Sequence, residues 1–186
     1  MTTGEFLHLR DRILLLHRSL DAIAVRHAFG GAIALAYYAE PRATHDLDLN
    51  IFCEPPEAEP VLDALVGLGI SVEARSRALA RRDGQVRLRW DTVPVDLFFS
   101  TLPIHTAMLE RIRQVPFSGV EIPILAPEHL VACKAIFNRP KDWVDIEAVF
   151  HLTSDLDEDE IRRWVAAIAD GEVLEHLEGL LRSRSR

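Results

Sequence analysis

The chain of 186 residues is 48% hydrophobic and carries a net charge of −8 at neutral pH. That content is enough to fill one globular core, and the acidic balance excludes nucleic-acid binding spread over the whole surface, leaving only local contact. Cys53 and Cys133 are the only cysteines; they match neither a metal-ligand spacing nor a disulfide framework, which suits a cytoplasmic protein.

The opening stretch holds only a four-residue apolar run, Ile13–Leu16, between charged residues. It is too short for a leader core or a membrane span and reads as an amphipathic helix over 5–25. "VRHAF" then predicts a short strand, Gly30-Gly31 a turn, and "AIALAYYAE" a helix stopped by Pro41. "DLDLNIF" predicts a strand, and "PPEAEPVLDALVGLG" a helix opened by prolines and closed by glycine. "SVEARSRALARRDGQVRLRW" reads as two strands about an Asp83-Gly84 turn. "TVPVDLFF" predicts a strand, "LPIHTAMLERIRQV" a helix and "VEIPIL" a strand. After Pro127 the pattern is wholly helical, ending in a frayed "RSRSR" tail. The expected class is α+β: a mixed sheet with flanking helices over 1–126, followed by a helical part over 127–186 packed on it as one compact unit.

Alternation on the strand at 46–52 puts Asp46, Asp48 and Asn50 on one face and Leu47, Leu49 and Ile51 on the other. Neighbouring carboxylates repel, more strongly as water is excluded, unless a divalent cation relieves them. Mg²⁺ prefers this ligand type, with substrate phosphates completing its shell. A solvated strand face with incidental acids is the competing reading. In "VPVDLFF", Asp96 sits opposite Val93, Val95 and Leu97. Should the two strands be neighbours, three carboxylates meet on one cleft wall, a set suited to two metal ions and to taking a proton from an attacking hydroxyl. The alternative for Asp96 is a pair with Arg87 or Arg89. Gly30-Gly31 lets backbone come close to a phosphate, or is an ordinary tight turn.

In this order and spacing, Gly30-Gly31, Asp46-x-Asp48 and Asp96 resemble the polymerase-beta-type nucleotidyltransferases. A narrower resemblance, to AbiEii-like toxin nucleotidyltransferases, rests on Arg42, Thr44, Asp46, Asp48, Lys134, Arg139, Lys141, Asp142 and Asp145. It implies Mg²⁺-dependent transfer of a nucleoside monophosphate from an NTP to an acceptor hydroxyl, with pyrophosphate released. Asp46, Asp48 and Asp96 would be metal ligands; Gly30, Gly31, Arg42, Thr44 and Lys134 would hold the nucleotide. Asp145 would orient Lys134, while Asp142 lies on the same helix face or is simply exposed. Of the 21 basic residues, Lys134 and Lys141 are the only lysines, and both fall in this segment, where a compact point charge suits phosphate. Lys134, in the apolar "LVACKAIF", is read either as a triphosphate ligand or as a lysine snorkelling to the cleft edge.

Arg75, Arg77, Arg81, Arg82, Arg87 and Arg89 form a local basic stripe, read either as RNA contact or as a solvated hairpin face. The toxin resemblance points to a tRNA 3′ end as acceptor and implies an antitoxin partner. A small-molecule nucleotidyltransferase of the antibiotic-modifying kind and a non-catalytic nucleotide-binding or antitoxin-like module are the rival readings. No membrane contact is expected.

Overall fold

A computed structural model describes residues 7–184. Six strands form one mixed sheet: β1 (His27–Phe29), β2 (Leu47–Ile51), β3 (Gln85–Trp90), β4 (Val93–Phe99), β5 (Arg113–Phe117) and β6 (Val120–Ile124), in the order β3-β4-β2-β1-β6-β5. The central β2 pairs parallel with β4 and antiparallel with β1, which in turn runs parallel to β6. The expected mixed α+β sheet is therefore the observed one. On β2 and β4 the residues of one face, Leu47, Leu49, Ile51, Val95, Leu97 and Phe99, are fully buried, as the alternation requires.

The helices are α1 (Leu9–Ala22), α2 (Gly31–Leu35), α3 (Glu59–Gly67), α4 (Ala74–Asp83), α5 (Pro103–Glu110), α6 (Pro127–Phe137), α7 (Pro140–Leu152), α8 (Glu158–Ile168) and α9 (Gly171–Arg184). Proline stands in the first turn of α3, α5, α6 and α7, where its missing N–H costs no hydrogen bond. Helix α6 touches α2, α7, α8 and α9, so the helical segment after residue 126 lies against the turn that follows β1. One cluster of buried residues runs from Ile13 to Leu181.

Three expectations are corrected. Residues 74–83 form a helix, and Gly84, at φ 66° and ψ 11°, is its left-handed C-cap instead of a hairpin turn. Helix α2 is only five residues long, so the helix expected up to Pro41 stops early. Helix α5 ends at Glu110, and Arg113–Val115 belong to β5, joined to β6 through Ser118 and Gly119 at φ 47° and 85°. Both central residues of that hairpin are left-handed, the geometry of a type I′ turn. The first residues of the helix expected over 5–25, and Ser185 and Arg186 of the tail, lie outside the described residues. Arg184 is not frayed: it donates to the carbonyls of Phe150, Thr153 and Ser154 and pairs with Glu158 at 3.0 Å. Among the described residues, no helix is long and apolar enough to cross a membrane.

Candidate active site

The parallel pairing of β2 with β4 places Asp48 in register with Asp96. Asp46 lies one alternation earlier on the same face as Asp48, so the three carboxylates line one cleft of about 180 Å³, shared with Arg42, Thr44 and Lys134. Thr44 orders the approach to β2: its Oγ1 accepts from the Asp46 N–H at 3.2 Å and lies equally far from the Asp46 carbonyl. Among the described residues, the carboxylates of Asp46 and Asp48 make no hydrogen bond or ion pair. Burial, and then the charges of Asp96 and Asp46, raise the Asp48 carboxyl above its ordinary value, outweighing the pull of Lys134 and Arg139. Aligned carboxylates of this kind, one of them half-buried without a cationic partner, fit a divalent cation.

Asp96 is held differently. Arg87, its cross-strand neighbour on β3, donates to both of its oxygens at 2.8 and 2.6 Å. The alternative weighed for Asp96 is thus the contact this structure contains.

The Gly30-Gly31 turn is pressed against Asp48. The Gly30 N–H donates to the Asp48 carbonyl at 2.9 Å. Gly31 has φ +49°, and a Cβ there would lie 1.7 Å from Asp48 Oδ2. Any side chain would collide with that carboxylate, so glycine is required twice over, by conformation and by contact.

Lys134 rises from α6 and is buried, as are Asp142 and Asp145 on α7. Its ammonium donates to Asp145 at 2.6 Å and stands 3.6 Å from Asp142. Asp145 also accepts two hydrogen bonds from Arg42, at 3.1 and 3.0 Å. Burial pushes the Asp145 carboxyl up, yet the hydrogen bonds from Arg42 and Lys134 win and leave it below its ordinary value. Asp142 is fully buried and takes both of its hydrogen bonds from Arg139, at 2.6 and 3.2 Å, so the exposed-face reading of Asp142 does not hold. Nor does Lys134 snorkel: its charge is enclosed in this network.

Two residues outside the expected site set also belong to it. Asn50 shares the Asp46 and Asp48 face, and its amide is buried 3.0 Å from where a Gly30 Cβ would stand. Arg139 lines the acidic cleft, and its guanidinium lies 5.0 Å over the Phe137 ring. Its place in the sequence just before Pro140, at the mouth of the α6–α7 hairpin, is the signal for it. A second cavity of about 230 Å³ opens beside Gly30, Asp48 and Lys134 and is walled largely by apolar groups, among them Phe98, Met108, Leu130 and Phe137.

The basic stripe is divided between α4 and β3 instead of lying on one hairpin. Arg77 pairs with Glu59 and Asp63, Arg81 with Glu59, Arg82 with Asp83 and Arg87 with Asp96. Among the described residues, Arg75 and Arg89 are the members without a side-chain ion pair.

A sequence model of the nucleotidyl transferase AbiEii toxin family, of the type IV toxin–antitoxin system, matches residues 13–183. The chain belongs to that family. It is a nucleotidyltransferase. Its fold is similar to that of the antibiotic-resistance factor ANT(2″)-Ia bound to adenylyl-2″-tobramycin, at 13% identity and a TM-score of 0.56, covering 95% of this chain and 98% of the other. The lincosamide antibiotic adenylyltransferase LnuA, solved with lincomycin, gives 13% identity and a TM-score of 0.54 over 79% and 99% of the two chains. An antigenic nucleotidyltransferase-like protein from Paracoccidioides brasiliensis gives 16% identity and a TM-score of 0.50 over 94% and 92%. Among curated proteins, none matches in sequence.

Proposed function

We propose that the protein transfers a nucleoside monophosphate from an NTP to an acceptor hydroxyl in a Mg²⁺-dependent reaction, releasing pyrophosphate. The observation that carries this reading is the register of Asp48 with Asp96 beside a Gly31 that no side chain can replace. Asp46 and Asp48 hold the metal, and Asp96, once released by Arg87, adds a third ligand or takes the acceptor proton. The bound cation supplies charge neutralisation at the phosphates. Gly31 leaves room for the Asp48 carboxylate, and Lys134, Arg42 and Arg139, each tied to Asp142 or Asp145, line the cleft that takes the triphosphate. Phosphoryl transfer is mostly positioning and charge stabilisation, so this inventory suffices for it.

For the acceptor, the toxin resemblance points to a tRNA 3′ end and implies a cognate antitoxin, in keeping with the toxin–antitoxin family the chain belongs to. RNA contact then falls to Arg75 and Arg89, the unpaired part of the stripe, with Arg87 joining when it leaves Asp96. A small-molecule hydroxyl is the second reading, favoured by the apolar cavity beside Asp48 and by the internal pairing of Arg77, Arg81 and Arg82. The cytoplasm is the proposed compartment for both. Salt titration of RNA binding separates them. A steep loss of affinity with salt, made shallower by Arg75→Ala with Arg89→Ala, is expected for the RNA acceptor. A flat response assigns the cavity to a small acceptor.

A further inference from the structure

A second group of ligand-type side chains lies away from the cleft. His17 and Asp21 are one turn apart on α1, and His27 opens β1. His27 pairs with Ile51 across β1 and β2, so its ring is on the sheet face opposite Asp48, at the other end of the strand from Gly30. One ligand atom from each of the three lies within 4.8 Å of the others.

The hydrogen bonds fix how the rings are presented. His27 Nδ1 is 3.0 Å from the Val25 carbonyl, which can only accept, so Nδ1 carries the proton and Nε2 carries the lone pair. That lone pair faces His17 Nδ1 at 3.1 Å. Asp21 Oδ2 stands 3.5 Å from the other ring nitrogen of His17, Nε2. Burial, together with the charges of His17 and Arg26, holds His27 below the usual imidazole range despite Val25 and Asp21, keeping it the neutral form that binds metals. The nitrogen separation matches the edge of a tetrahedral site, about 3.3 Å for Zn–N bonds of about 2.0–2.1 Å. The group opens on a cavity of about 230 Å³ whose wall includes Gln114 and Glu121, which leaves space for a fourth ligand.

We propose that His17, Asp21 and His27 form a binding site for a zinc-class divalent cation, clipping α1 to the start of β1, separate from the nucleotidyl-transfer cleft. Two imidazoles and one carboxylate select a borderline metal over Mg²⁺, which takes oxygen ligands. The fourth position belongs to water on the cavity side.

The test uses the full chain carrying Asp46→Asn, Asp48→Asn and Asp96→Asn, so that the three cleft carboxylates contribute nothing, stripped with EDTA and titrated with Zn²⁺ and then Co²⁺. Expected are one equivalent bound per chain, the intense visible bands of tetrahedral Co²⁺, and a melting temperature that rises with Zn²⁺. His17→Gln in the same background weakens binding by at least about tenfold and removes the bands, and Asp21→Asn weakens it by about tenfold. His27 is left in place because it is buried. Melting in EDTA shows whether His17→Gln is folded; if it is not, Asp21→Asn decides, since its side chain is 60% exposed. Binding well below one equivalent, octahedral Co²⁺ spectra, or binding unchanged by the deciding variant overturns the assignment.

Discussion

Replacing Asp145 with alanine removes the carboxylate on which two cations converge. Lys134 is 5% exposed and loses its 2.6 Å partner, keeping only Asp142 at 3.6 Å, which already serves Arg139. Arg42, with a side chain 40% exposed, turns to water at little cost. Stranding one partner of a buried pair costs about 3–5 kcal/mol, and the remaining Asp142 puts this case near about 3 kcal/mol. At about 2–4 °C per kcal/mol for a chain of this size, the melting temperature falls by about 6–12 °C. The loss depends on pH. The Asp145 carboxyl lies below its ordinary value of 3.8 in the fold, so its stabilisation is present above that value and disappears as pH falls through the folded value. Thermal denaturation of wild type and variant at neutral and acidic pH reads both effects. The double variant Lys134→Met with Asp145→Leu, which removes both buried charges, should recover most of the loss. A single variant within about 1 kcal/mol of wild type at neutral pH would refute the reasoning, because a buried ammonium would then tolerate isolation.

The remaining predictions concern the cleft. Asp48→Asn should make the metal-free protein more stable at neutral pH: a raised carboxyl stabilises the fold below its ordinary value of 3.8, and that contribution is lost as pH rises through the folded value. Urea titration in EDTA checks this, and added Mg²⁺ should favour wild type alone. Gly31→Ala should cost about 1–3 kcal/mol in backbone strain and abolish transfer by displacing Asp48, whereas Gly30→Ala, whose Cβ meets Asn50 Nδ2 at 3.0 Å, should retain part of it. Denaturation and transfer assays on both distinguish them. Arg87→Ala removes a pair whose arginine is 61% exposed, so stability should change by less than about 1 kcal/mol. Half-maximal transfer should then need less Mg²⁺, since Asp96 no longer has to leave a guanidinium.

What was legible in the sequence follows from period-two alternation. Leu47, Leu49 and Ile51 against Asp46, Asp48 and Asn50 showed both faces of β2, and the same pattern isolated Asp96 on β4. Helix α4 is hidden in the sequence because only Ala80 of it is buried, leaving no apolar stripe, while Asp83-Gly84 carries the dipeptide of a hairpin turn. The alanines, arginines and leucine of that segment are good helix formers, and this propensity was the available signal. The end of α5 was blurred by the continuous run "LERIRQV", which has no glycine or proline to break it. The choice of Asp96 partner was not readable at all: Arg87 and Arg89 both project from β3, and only the register across from Asp96 selects Arg87.

The most direct test of the central claim is transfer of label from each of the four NTPs, radiolabelled at the α-phosphate, with Mg²⁺ and with total RNA, total protein and an aminoglycoside panel as acceptors. Asp48→Ala is the control. Label on one acceptor class, absent from the variant and from reactions containing EDTA, is the predicted result. Undiminished transfer by Asp48→Ala, or no transfer to any acceptor by a wild-type protein that binds NTP, would contradict it.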